Sequence, residues 1–253
     1  MVKPAALKDP SSVTITTRDN YIERKPLSPL KGKTIMLNPG HGCIKDGGID
    51  KGANYKLGKT TIFEMDLNDQ VAGDVKRKLE LLGAKVIYVD NTGIKAIKDL
   101  ENKYKPDAFI AIHHDALTKK SSGETMYAHG DKSMALRKDI NKFFAADKTI
   151  KNNEYSAYVK SRSEELTVLA ADSSIPAVLT EIGYGSNPKE LKTLITQDYQ
   201  DKAAQCIVEG IKSYIKKTKK NPPPKIAPWD LVHQVDKKPK FNLITPKSSE
   251  KDI

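Results

Sequence analysis

Cysteine is nearly absent: the 253 residues hold two, Cys43 and Cys206. That leaves neither a disulfide framework nor a C-x-x-C pair, and so excludes a disulfide-stapled domain, a zinc knuckle and a thioredoxin-type redox site. Cys206 lies in an A-A-Q-C-I-V helical pattern and reads as a small core residue. Long apolar runs are also missing, and none has the length of a membrane-spanning helix. The opening M-V-K-P-A-A-L-K-D-P-S-S lacks the continuous apolar centre of a secretion signal. Three expectations follow: action inside the cell, exit by another route, or a chain that begins after a removed signal. Aromatic residues make up only 6%, with Trp229 the single tryptophan. The basic residues are dispersed, with no recognition motif and no aromatic-interleaved patch, which argues against a specific nucleic-acid reader.

What remains is ample for a packed core. Hydrophobic residues are 38% and charged residues 30%, and the length suits one large α/β domain with arms or at most two small domains. The formal net charge of +11 favours anionic partners such as nucleic acid, anionic lipid or an acidic wall polymer.

Residues 1–32 mix Pro, Lys, Ser and Asp without a period and read as an N-terminal arm. Order begins at Lys33. The run Thr34-Ile35-Met36-Leu37 has strand character and is broken by Asn38-Pro39-Gly40, after which His41 and Gly42 follow at once. A charged, Gly-rich loop runs from Cys43 to Lys59. A helical stripe of Ile62, Met65, Val71, Val75, Leu79 and Leu82 then ends at Gly83, a natural residue just past a helix.

K-V-I-Y-V (85–89) is a second strand, 94–104 a short helix, and A-F-I-A-I-H-H (108–114) a third strand. G-E-T-M-Y-A-H (123–129) reads as a further strand and 132–146 as a helix, whereas 147–172 stays undecided between helix and extended chain. A-V-L-T-E (177–181) is a buried strand, and helices near 188–195 and 199–215 close the domain. This alternation predicts parallel β-α-β units with right-handed crossovers. From residue 217 the chain turns basic and Pro-rich, as a tail too short for its own core.

Three apolar strands end in residues of ligand type: at His41, at His113-His114 and at Glu181. In a parallel sheet their carboxyl ends share one edge, where open α/β sheets place their sites. Glu64, at the head of the long helix, is a fourth candidate. Such a helix is expected to start at the opposite edge unless the long loop before it reaches across, and taken alone Glu64 reads more readily as an acid complementing the helix dipole. Two imidazoles and one carboxylate with an open position form a catalytic zinc set, and a second carboxylate would move the proton.

N-P-G-H-G (38–42), Glu64, A-I-H-H-D-A (111–116) and V-L-T-E-I-G-Y-G-S-N (178–187) together resemble the four signature blocks of zinc-dependent N-acetylmuramoyl-L-alanine amidases of the amidase-3 type. The blocks follow the family's order and spacing over about residues 33–216, which the resemblance marks as the catalytic domain between the arm and the tail at 217–253. It implies a three-layer αβα fold around a twisted, mostly parallel sheet. It also implies Zn2+ held by His41, Glu64 and His113, with Glu181 as catalytic carboxylate. The implied reaction is hydrolysis of the amide between N-acetylmuramic acid and L-alanine in peptidoglycan.

Because successive strand side chains face opposite sides, only one of the adjacent histidines can enter the pocket, and alignment of the blocks selects His113. His114 is expected to be packed or solvated beside it. Arg162 stands where the family carries a substrate-side arginine, to meet a stem-peptide carboxylate or else to form a surface ion pair. Three positions depart from the family pattern, the least of them Asp115, which stands where Asn is common. Asn38 replaces an Asp, and is expected to hydrogen-bond near the ligands without adding charge. Cys43 replaces a Gly and reads as a loop residue in preference to a competing thiolate.

The resemblance places the protein's action at the cell wall, in the periplasm or outside the cell. The opening sequence then suggests phage-type (endolysin) release, a virion-carried enzyme or a chain without its leader. The basic tail is expected to hold anionic wall polymers. A peptidase or deacylase on the same scaffold is one alternative. The other is a non-catalytic wall-binding protein, against which the presence of all four chemical positions argues. His129 and His233 read as surface residues.

Overall fold

Strand β1, Thr34–Pro39, is buried along its whole length, because it has a strand on either side and both faces of its sheet are covered. It pairs in parallel with β6 (Lys85–Tyr88) on one side and β7 (Ala108–Asp115) on the other. Strand β9 (Ala177–Tyr184) adds in parallel to β7, and β8 (Thr125–Ala128) closes the edge antiparallel, giving the order β6-β1-β7-β9-β8. The structure is a computed structural model that describes residues 29–43, 48–90, 93–152, 166–169 and 174–218. Most of the N-terminal arm, Arg162 and nearly all of the basic tail lie outside the described residues.

The period-2 pattern sorts the core into layers. Ile35 and Leu37 of β1, Ile110 and Ile112 of β7, and Val178 and Ile182 of β9 share one buried cluster with three helices. These are α1 (Glu64–Leu81), α3 (Asp131–Ala146) and α5 (Gln197–Lys217). The alternate residues Met36, Phe109, Ala111 and Leu179 are equally buried on the opposite face. The helix α2 (Ile94–Tyr104) meets the short 3-10 turn Thr167–Leu169, and that turn contacts β9. Helix α4 (Pro188–Leu194) begins at the Asn187 cap, whose side chain accepts from the N–H groups of Lys189 and Glu190. The fold class is the mostly parallel, helix-flanked sheet expected from the alternating pattern. Among the described residues, no helix is long and apolar enough to cross a membrane.

Two expectations change between β1 and α1. Part of the loop from Cys43 to Lys59 is structured: β2 (Gly42–Cys43) pairs with β3 (Ile49–Asp50), and β4 (Asn54–Leu57) with β5 (Thr60–Phe63). Ile62 consequently belongs to β5 and not to the helical stripe, and α1 starts at Glu64. The β-branched run Thr60-Thr61-Ile62 of β5 favours the hairpin, and Tyr55, Ile62, Leu67 and Leu191 bury a small satellite core beside it. At the other end α1 stops as expected, with Gly83 at φ +86°.

Candidate metal centre

The carboxyl end of β1 turns sharply. Gly40 keeps the ladder, its N–H donating to the Ile112 carbonyl at 2.8 Å, and His41 then adopts φ +67°. Left-handed backbone at a non-glycine residue is unfavourable and is held only where its surroundings demand it. Here it aims the imidazole at the head of α1. His41 Nε2 lies 3.1 Å from Glu64 Oε2, and His113 Nδ1 lies 3.0 Å from Glu64 Oε1. The two rings meet edge to face with centroids 5.1 Å apart. One ligand atom from each of His41, Glu64 and His113 lies within 4.8 Å of the others.

Glu64 needs no loop to bring it across the sheet. A helix that follows a parallel strand starts at the edge where the strand has just ended, so α1 begins beside the carboxyl ends of β1 and β7. The expectation of an opposite-edge start was therefore mistaken. Glu64 is 5% exposed. Burial pushes its carboxyl up, but hydrogen bonds from the two imidazoles and from the Ala53 N–H outweigh this and hold it well below the usual carboxylate range. The same contact to Glu64, with a further share from Asp50, raises His41 to about 9 against the cost of burial.

These residues fit a zinc ion by their chemistry. Two imidazole nitrogens and one carboxylate are a three-ligand set that leaves a fourth position open. The His41 Nδ1 is also 2.8 Å from Asp50 Oδ2, the carboxylate support typical of a metal-ligating histidine. The walls are cut to the rings. A Cβ on Gly40 would stand 2.0 Å from the His113 ring, and one on Gly52 would stand 2.4 Å from His41.

Glu181 is register-paired with His113 across β7 and β9, so the two side chains leave the same face of the sheet at its carboxyl edge. Tyr55, from β4, lies under this edge. Its hydroxyl donates to the His114 carbonyl at 2.6 Å, and burial followed by the charges of Glu64, Glu181 and Asp115 raises its pKa. The His114 carbonyl sits where the β7–β9 register shifts, between His113 and Asp115. His114 itself is packed inward, 1% exposed, with burial lowering it to about 4.

The Asn38 expectation is corrected. Its amide donates to the carbonyls of Val89 at 2.8 Å and Pro39 at 3.3 Å, tying β1 to the end of β6, and makes no hydrogen bond to His41. The supporting carboxylate comes instead from Asp50, across the β2–β3 pair. Sequence reading missed Asp50, Tyr55 and Asn68; of these only Asn68, four residues after Glu64 on the same helix face, carried a signal. The side chain of Cys43 and all of Arg162 lie outside the described residues, and His129 is exposed as expected.

A family model described as N-acetylmuramoyl-L-alanine amidase matches residues 35–213. A probable cell wall amidase, LytH of Staphylococcus aureus, is 36% identical over 194 residues, covering 75% of this chain and 61% of the relative. The match thus spans about three fifths of the relative's length. Among solved structures, the catalytic domain of CwlV, an N-acetylmuramoyl-L-alanine amidase from Bacillus (Paenibacillus) polymyxa var. colistinus, superposes with a TM-score of 0.61 at 27% identity. That match covers 73% of this chain and 98% of CwlV. The CwlD amidase from Clostridioides difficile, solved in complex with the GerS lipoprotein, gives a TM-score of 0.57 at 28% identity, over 73% and 98% of the two chains.

Proposed function

The chain belongs to the N-acetylmuramoyl-L-alanine amidase family, and from that premise we propose that it is a zinc-dependent peptidoglycan amidase. It cleaves the amide joining the lactyl group of N-acetylmuramic acid to L-alanine of the stem peptide. The observation that carries this reading is the convergence of His41, Glu64 and His113 on one point, with Glu181 leaving the same sheet edge.

His41, Glu64 and His113 would hold the ion. When bound, zinc lowers the pKa of a coordinated water toward neutrality and polarises a carbonyl. Asp50 orients the His41 ring, and the buried, ionised Glu64 supplies the set's negative charge. Glu181 accepts a proton from the attacking water on a carboxylate oxygen. It passes that proton to the alanine nitrogen as the carbon–nitrogen bond breaks, so the peptide leaves as a neutral amine. Arg162 is kept as the contact for a stem-peptide carboxylate. The protein acts at the cell wall, with residues 33–216 as catalytic domain and the basic tail as an anchor to anionic wall polymers.

Mass spectrometry of digested muropeptides tests the reading. Release of intact stem peptides beginning at L-alanine, abolished by a chelator and restored by zinc, is expected. Cleavage within the stem peptide would favour a peptidase. Chelator-insensitive clearing or no clearing would remove the zinc amidase.

A further inference from the structure

We infer that Asn68 is a positioning residue that locks together the three segments carrying His41, Glu64 and His113, acting with His114. The inference rests on the zinc reading above and assigns the two residues a task within it.

Asn68 lies in the body of α1, fully buried at 0% exposure. Asparagine is a mediocre helix former, and an amide in a core is costly unless its hydrogen bonds are made. All of its partners belong to the site. Its Nδ2 donates to the Gly40 carbonyl at 2.9 Å and approaches Glu64 Oε1 at 3.4 Å, while its Oδ1 lies 2.8 Å from His114 Nδ1. Gly40 immediately precedes His41 at the end of β1, Glu64 is one turn back on α1, and His114 follows His113 on β7. One amide therefore ties three elements, each at a residue that is a proposed ligand or adjoins one.

The hydrogen-bond roles are forced. The Gly40 carbonyl and the Glu64 carboxylate can only accept, so the Asn68 nitrogen must face them and its oxygen must face His114. An amide oxygen cannot donate, so His114 carries its proton on Nδ1. His114 Nε2 is buried and makes no hydrogen bond among the described residues. Adjacent histidines on β7 thus do different work. His113 turns to the pocket, and His114 turns to α1 and fixes the amide that holds Glu64 and the His41 turn. The His114 N–H also points at Glu64 Oε1, at 3.4 Å.

The test uses the full-length protein with three variants: Asn68→Leu, His114→Phe and His114→Asn. Zinc affinity is measured by chelator competition, folding by the melting transition of the metal-free protein, and kcat and KM on muropeptides. Asn68→Leu and His114→Phe should weaken zinc binding about 10- to 100-fold, the range typical for loss of a ligand-supporting group, and lower kcat with little change in KM. His114→Asn, whose amide nitrogen stands where Nδ1 stands, should recover most of both losses. If Asn68→Leu does not fold, the two His114 variants still decide. Folded His114→Phe protein with wild-type zinc affinity, or equal losses in His114→Phe and His114→Asn, would overturn the inference alone. A wild-type protein that binds no zinc would overturn the zinc reading and this inference with it.

Discussion

Asp50 Oδ2 stands 2.8 Å from His41 Nδ1, and the other oxygen of the same carboxylate accepts the Gly52 N–H at 2.9 Å. The Asp50 carboxylate is therefore fixed before it meets the ring, and the ring can present only Nε2 to the pocket. Asp50 is partly exposed, so its value lies in orientation and charge and not in packing. Asp50→Ala should lower zinc affinity about 10- to 100-fold while leaving the melting temperature of the metal-free protein nearly unchanged. Chelator competition and a thermal melt read the two effects separately, and an unchanged affinity would dismiss this support role.

Glu181 and His113 face the same pocket from paired positions, yet their proposed tasks differ, and substitution separates them. Glu181→Gln keeps the shape and loses the base, so zinc should bind as in the parent while wall-lytic activity falls by about 100-fold or more. His41→Ala and His113→Ala should lose both, because two remaining ligands hold zinc poorly. Metal content after dialysis, set beside zymography, distinguishes the outcomes. Full activity in Glu181→Gln would end its assignment as the proton carrier.

The difference between these residues and Asp50 also marks how far the sequence could be read. His41, His113 and Glu181 each follow a short apolar run, and parallel strands deliver such run-ends to one edge, so periodicity finds them. Glu64 was visible as the head of an amphipathic helix, but its edge was misplaced until the chain was traced out of β1. Asp50 and Tyr55 left no trace. They sit on two-stranded pairs of two to four residues, where no period can establish itself and register alone decides which side chain reaches the pocket. Asn38 failed in the opposite sense. Its place in a recognisable block suggested a link to His41, whereas the strand direction gives its amide to Val89.

Gly40 has room for hydrogen only. A Cβ there would lie 2.0 to 2.4 Å from atoms of the His113 ring, so one of the two must move. The ring is the softer partner, because Gly40 is held by its N–H to Ile112 and by its carbonyl to Asn68. Gly40→Ala should therefore expel His113 from the ligand set, with loss of zinc and of activity in a protein that still folds. Retained zinc at parental affinity would contradict this geometry.

The proposed anchoring role of the tail makes a salt-dependent prediction. The chain carries a net charge of +11, and residues 217–253 are rich in lysine. Removal of residues 219–253, which leaves α5 intact, should weaken binding to intact walls at low salt more than at high salt, as screening predicts. Cleavage of small soluble muropeptides should be unchanged. Equal wall binding with and without the tail at every salt concentration would reject the anchor.

Glu124 sets a pH dependence independent of the metal centre. It is fully buried, with Oε2 accepting from Asn152 at 2.6 Å and Oε1 making no hydrogen bond among the described residues. Burial is the main cause that raises its pKa from 4.5 to about 8, against the pull of Arg137 and the Asn152 amide. Between these two values the folded protein keeps a proton that the unfolded chain has released. Folding then takes up a proton, and stability must fall as pH rises through that window. The contribution is complete below pH 4.5 and is lost progressively up to about pH 8. At about 1.4 kcal/mol per pH unit, the upper bound is a few kcal/mol. Glu124→Gln removes the titration and can place its amide nitrogen at the unbonded Oε1 position, leaving the bond from Asn152 intact. Chemical denaturation of both proteins near pH 5 and pH 8.5 should show the parent losing more stability than the variant, so that Glu124→Gln is relatively the more stable at the higher pH. Parallel stability profiles would mean that Glu124 is ionised in the folded protein, and that Arg137 outweighs the cost of its burial.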